Sequence, residues 1–204
     1  MNICNKKFQE DTFQNKTLFE SDNFRVIPSL GAMVEGWILL IPKDHYISFS
    51  EMDDVRLKEA EMMCDKVYSL LEGLYQSKIV SFENGASSRN NKIGCGVDYA
   101  HIHFVPIEID LKKILDLEYQ TELEWKSVKS IQDIKSYQND SYFYIKNNNN
   151  ERYITRAINP RSQVIRKGIA NLIGVPNQYD WKTHSFHKNI VKTIDSFCSA
   201  KTSL

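Results

Sequence analysis

Asp98-Tyr99-Ala100-His101-Ile102-His103-Phe104-Val105-Pro106 is the stretch whose reading decides the fold. Its alternation predicts a strand whose side chains point by turns to two faces, ending at Pro106, where a ladder donor is missing. Tyr99, His101 and His103 share one face; Ala100, Ile102 and Phe104 share the other. The second face is apolar and small enough to pack against a helix or a sheet. The first carries a phenol and two imidazoles in a row. At a rise of about 3.3 Å per residue the imidazoles stand about 7 Å apart, a span suited to two groups working on one phosphate. Three readings fit these residues. The histidines are hydrogen-bonded or solvated strand residues, or a His-x-His metal pair, or an imidazole nucleophile whose neighbour holds a leaving group or a phosphate oxygen.

Working outward, Gly94-Cys95-Gly96-Val97 stands just before this strand, at the end of a polar loop that begins at Asn84-Gly85 and carries Arg89 and Lys92. Loops of this composition aim backbone N–H groups at anions. For Arg89 and Lys92 an ordinary mobile loop is the simpler reading. Lys78–Glu83 reads as the strand feeding that loop. Before it, Asp53 or Ser50 caps a helix running to about Gln76. Leu57, Met63, Val67, Leu70, Leu71 and Leu74 form its apolar face, and Arg56, Lys58, Glu59, Glu61 and Asp65 its solvated face. Trp37–Ile41 is an almost unbroken apolar run, expected as a buried central strand. It closes in Pro42-Lys43-Asp44-His45. Thr17–Glu20 and Phe24–Pro28 are two short strands about a Ser21-Asp22-Asn23 turn.

The hydrophobic strand ending in Ile41-Pro42-Lys43-Asp44-His45, then helix, strand, Gly-bearing loop and Tyr99-Ala100-His101-Ile102-His103, resembles the histidine triad (HIT) superfamily of nucleotide hydrolases and transferases over residues 17–107. The resemblance implies an α+β fold: an antiparallel sheet of about five strands with a long helix on one face. It implies that His101 attacks the α-phosphorus of a nucleotide, forming a covalent nucleotidyl-imidazole. His103 then serves as donor or acid and His45 as phosphate support, while the Gly94, Cys95 and Gly96 backbone faces the phosphate. A neutral imidazole, with an ordinary pKa of about 6.5, keeps the lone pair such an attack needs. The family holds the other ring nitrogen of its nucleophile through a backbone carbonyl, here that of Tyr99. No metal or cofactor is implied. Asn84 falls among the substrate-binding positions. Three departures bear on substrate. Tyr99 replaces the first histidine, keeping a hydroxyl. Ser29 stands where a ribose-binding carboxylate is common. Cys95 and Gly96 replace Gln, Ser or Thr.

Past residue 110 the chain reads as an extension, to 204. Short helices are expected near Asp110–Leu117 and Ser130–Tyr137, and a hairpin of Ser141–Lys146 and Glu151–Ala157 about Asn147–Asn150. A helix is expected over Pro160–Ile173, Gly168 notwithstanding, and a last one near Lys188–Cys198. Ser162-Gln163 and Arg166, followed by Gly174-Val175-Pro176 and Asp180-Trp181, are similar to the C-terminal extension of one bacterial HIT subgroup. Gln163 and Arg166, one turn apart, either reach one phosphate or base together or form an exposed helix face. His184 and His187 read as solvated.

Composition narrows the class further. The chain has 204 residues, 42% hydrophobic and 25% charged, with 26 basic and 26 acidic side chains. This is a soluble globular balance with no polyanion-binding excess, so no nucleic-acid partner is expected. Residues 1–16 are a polar arm, not a secretory signal, and no apolar run is long enough to span a bilayer. Four scattered cysteines, Cys4, Cys64, Cys95 and Cys198, show no CxxC spacing and fit a reducing compartment, so a cytoplasmic protein is expected. A homodimer through sheet edge and long helix follows from the resemblance, with the extension reinforcing or blocking that surface. The competing functions are a nucleotide-binding module that kept the fold without turnover, and a metal site of His101, His103 and His45.

Overall fold

The strand carrying the histidines lies in the middle of one antiparallel sheet. The computed structural model describes residues 15–91, 93 and 97–202. Most of the N-terminal arm, with Lys92, Gly94, Cys95 and Gly96, falls outside them. The strands are β1 (Phe19–Glu20), β2 (Phe24–Pro28), β3 (Ile38–Pro42), β4 (Ile79–Gly85), β5 (Ile102–Pro106), β6 (Lys126–Val128), β7 (Tyr142–Lys146) and β8 (Arg152–Arg156). Their order is β1-β2-β3-β5-β4-β7-β8-β6. The sheet therefore has eight strands rather than about five. The first five make the expected sheet. The hairpin of the extension then pairs along the outer edge of β4, Phe82 opposite Ile145 and Asn84 opposite Phe143. That edge is filled by the chain itself, and β6, which the sequence did not signal, closes the far side on β8.

Among the described residues four α-helices flank the sheet: α1 (Asp54–Tyr75), α2 (Leu111–Tyr119), α3 (Val164–Leu172) and α4 (His187–Thr202). The Asp53 carboxylate caps α1 by accepting from the Arg56 N–H at 2.8 Å. Leu57, Ala60, Val67, Tyr68 and Leu71 form its buried face, and Tyr68 meets Phe104 edge-on at 5.2 Å. This packing covers Ile102 and Phe104, each contributing about 1.5–3 kcal/mol of burial. Glu59 and Glu61 are not merely solvated. Glu59 accepts from Ser21 and Asn23 and so holds the β1–β2 turn. Glu61 pairs with Arg152 at 2.5 Å and accepts the Ile131 N–H.

The other face of the sheet carries the histidines, and α2 and α3 cover its extension half. Tyr119 of α2 lies over Phe143 at 6.0 Å. Gly168 explains itself here. A Cβ on it would overlap the side chain of Ile114, so its absence lets α3 lie close against α2. The asparagine run does more than turn the chain. Asn147 and Asn148 accept the N–H groups of Leu111 and Ile109, which fastens the start of α2 to the hairpin. α4 secures the 29–36 loop: Thr193 accepts the Gly36 N–H and Asn189 donates to the Ala32 carbonyl. Among the described residues no helix is long and apolar enough to cross a membrane.

Glu83 is a buried carboxyl under α1, accepting from the Phe49 N–H at 2.8 Å and the Tyr142 hydroxyl at 2.7 Å. Burial pushes it up to about 7, against its two hydrogen bonds. The fold therefore prefers it protonated. Its contribution is fullest below the ordinary carboxylate range and is lost as pH rises through 7. Glu83→Gln removes that loss. Denaturant titrations at pH 5 and pH 8 should show the variant gaining about 2–3 kcal/mol on the native chain between the two.

Candidate active site

The strand is shorter at its start than its alternation suggests, and the difference builds the site. Regular pairing begins at Ile102. The Ala100 N–H bonds the Tyr46 carbonyl instead of a strand neighbour, and the Tyr99 carbonyl accepts from His101 Nδ1 at 2.7 Å. A carbonyl only accepts, so the proton sits on Nδ1 and the lone pair on Nε2. His103 is set the opposite way. Its Nδ1 lies 3.0 Å from the indole Nε1 of Trp37, a group that only donates, so the ring carries its proton on Nε2. That Nε2 is buried and has no hydrogen-bond partner.

Both imidazoles are buried, His101 7% and His103 3% exposed. Their rings meet edge to face at 4.8 Å, nearer than the backbone spacing alone implies. Phe82 stacks on His103 at 4.4 Å. Burial holds His101 below the usual imidazole range, against the Tyr99 hydrogen bond, with Arg166 adding repulsion. It holds His103 well below that range, with His101 and Arg166 reinforcing. Both rings are thus kept neutral.

Arg166 arrives from α3 and is 1% exposed. It donates to the carbonyls of Tyr179 at 3.0 Å and Gly31 at 2.5 Å, and its guanidinium lies over Trp37, 4.7 Å from the ring centre. Gly31, at φ +73°, has no Cβ to strike Trp181 or Arg166, so the loop passes beneath both. Gln163 does not share that task. Its amide donates to Asp180 at 2.9 Å and accepts the Trp181 N–H at 3.4 Å, so it holds the segment that seats Arg166. Asn84 lies on the histidine face of β4, two residues beyond Phe82, the partner of His103. Its buried Oδ1 has no partner.

The remaining expected residues sit at the margin. The Tyr99 hydroxyl donates to the carbonyls of Pro42 at 2.8 Å and Lys43 at 3.2 Å, so its proton is already engaged. Burial raises that phenol to about 12. His45 Nε2 donates to the Asp98 carbonyl at 2.7 Å, with its ring edge-on to Tyr99. Ser29 is buried, its hydroxyl turned to the Leu30 carbonyl at 3.3 Å. Among the described residues no three of His, Cys, Asp and Glu gather as a metal would require. Trp37 is the site residue that sequence reading missed, taken only as part of an apolar run. The available signal was that a buried indole N–H needs an acceptor.

The structure is α+β, with its elements up to residue 107 in the order expected from the sequence. No family model matches the chain, and no curated protein matches it. Similar solved structures include a HIT-like protein from Bartonella henselae, described as involved in cell-cycle regulation and holding an unknown ligand. It is 18% identical over 44% of this chain and 64% of that one, with a TM-score of 0.38. Another is a hypothetical histidine triad nucleotide-binding protein from Sulfolobus tokodaii strain7, 22% identical over 46% of this chain and 62% of that one, TM-score 0.39. A third, described as a HIT-like protein, is 16% identical over 53% of this chain and all of that one, TM-score 0.42. The chain spans less than two thirds of the first two.

The two ring assignments are directly observable. Long-range 1H–15N spectra should show one histidine protonated on Nδ1 and its neighbour on Nε2, both neutral at pH 7.5. Substituting Trp37→Phe should release only the second from its tautomer.

Proposed function

We propose that this protein is a nucleotide hydrolase or nucleotidyltransferase that works through a covalent nucleotidyl-histidine on His101. The observation that carries this reading is the pair of opposite tautomers. One buried imidazole presents a lone pair and its neighbour a proton, side by side on one face. His101 Nε2 attacks the α-phosphorus, and the N–P bond forms as the bond to the leaving group breaks. The Nδ1–H stays on the Tyr99 carbonyl, which stabilises the cationic ring of the intermediate. His103 Nε2–H donates to a non-bridging oxygen, and Arg166 adds positive charge nearby. Water or another acceptor then attacks phosphorus, and the N–P electron pair returns to Nε2. Gly94, Cys95 and Gly96 are proposed to face the phosphate through their backbone, and the Asn84 Oδ1 to accept from the substrate. Ser29 and Gln163 belong to the nucleoside side of the pocket, and His45 supports the 98–101 approach.

One observation favours a second reading, a nucleotide-binding module without turnover: the Tyr99 hydroxyl, replacing the first histidine, is tied to backbone carbonyls. The two readings separate in one experiment. The protein is mixed with dinucleoside polyphosphates and nucleoside phosphoramidates, quenched early and weighed intact. A mass gain of one nucleotidyl group, absent in His101→Ala, is expected. Nucleotide binding with neither adduct nor turnover would establish the module instead.

A further inference from the structure

We infer that Arg166, Trp37 and His103 form a relay, in which the arginine of the extension acts on the phosphate through the indole and the imidazole rather than by contact. Arg166 and Trp37 are then positioning residues that hold the His103 Nε2–H as a strengthened donor to an anionic oxygen. The inference rests on the His101 reading and assigns the part that the extension plays in it.

The relay starts in α3. Arg166 is 1% exposed. Its Nε donates to the Tyr179 carbonyl at 3.0 Å and its Nη2 to the Gly31 carbonyl. These carbonyls come from two separate segments, and together they fix the plane of the guanidinium. So fixed, it lies over Trp37 at 4.7 Å from the ring centre, where the electron-rich face of an indole attracts a cation. A cation on that face draws density from the ring. The indole N–H belongs to the same π system and becomes the better donor. It donates to His103 Nδ1 at 3.0 Å. That bond in turn draws density from the imidazole, so the Nε2–H on its far side is strengthened as well. Hydrogen bonds in series polarise one another in this way inside a protein.

The end of the relay is a donor held ready. His103 Nε2 is buried and has no hydrogen-bond partner. Phe82 stacks on the ring at 4.4 Å and Trp37 meets it edge-on at 5.8 Å, so its plane is set from two sides. The His101 ring stands 4.8 Å away, which places this donor beside the nucleophile. Burial, with His101 and Arg166 reinforcing it, opposes a charge on His103. Donor strength therefore has to come from polarisation and not from a second proton. One arginine serves both ends: its charge keeps the ring neutral, and its place on the indole strengthens what the neutral ring can donate. A buried, oriented donor of this kind suits the charge on a phosphate oxygen.

The test is a double-mutant cycle in the full chain, read as the single-turnover rate of nucleotidyl-adduct formation from a dinucleoside polyphosphate. Trp37→Phe keeps an aromatic ring without the N–H, and Arg166→Gln keeps hydrogen-bond donors without the charge. Each should slow the adduct by about 10-fold, a fraction of what losing such a donor outright costs. The double variant should be no more than about twofold slower than Trp37→Phe alone, because the arginine has lost its route. Losses that multiply would overturn the relay and make Arg166 a direct contact of the phosphate. Where Arg166→Gln fails to fold, Arg166→Lys replaces it in the cycle, since an ammonium gives up the planar face on the indole. A second readout needs no turnover. The Trp37 indole N–H resonance, assigned by its loss in Trp37→Phe, should move upfield in the folded Arg166 variant while that of Trp125 stays. An unmoved Trp37 resonance would overturn the relay whatever the rates. A native chain that forms no adduct would sink the His101 reading, and the indole resonance would still decide the relay.

Discussion

Burial of Ile102 and Phe104 beneath α1 is the constraint on which the arrangement depends. Side chains alternate along a strand, so committing these two to the helix side leaves His101 and His103 no choice of face. A slip of one residue would bring both imidazoles into the apolar layer and both hydrophobic groups out of it. The register that stabilises the fold is therefore the register that assembles the site, and α1 positions the histidines without touching them.

The second layer of organisation comes from backbone groups withheld from the sheet. Between Val97 and His101 the chain runs outside the ladder. Its polar groups turn to Tyr46, His45 and His101 instead of to a neighbouring strand. A carbonyl already paired in the ladder is a poorer holder of an imidazole. Trp37 does the corresponding work on His103 from the adjoining strand, while stacking under Arg166. One indole thus links the core strand, the second histidine and the arginine of the extension.

Much of this was legible in the chain itself. Alternation over 98–106 placed the histidines on one face, Asp53 marked the start of the long helix, and the asparagine run marked the hairpin. Each is a local signal, read within one element. What escaped reading was non-local. Nothing in Tyr142–Lys146 names β4 as its partner, so the count of strands fell short. Glu61 looked solvated because its partner Arg152 lies 91 residues on, in a strand that reaches α1 only through that unforeseen pairing. Gln163 and Arg166 were seen as a pair by helical spacing. Gln163 in fact stands at positive φ just before the helix, which turns its amide to Asp180 and leaves Arg166 to reach the site by itself.

The pairing of β7 with β4 bears on how the chain behaves in a crowded solution. Strand edges are where sheets recruit foreign strands. In β4, seven residues long and buried throughout, the bare edge would be a long unpaired template. The hairpin exchanges it for terminal strands of two and three residues, β1 and β6, the latter bearing exposed Lys126. Such short margins give an incoming chain little to zip onto. The extension that lays Arg166 over Trp37 thus also, through its hairpin, covers this edge, so losing it would bare β4 to incoming strands.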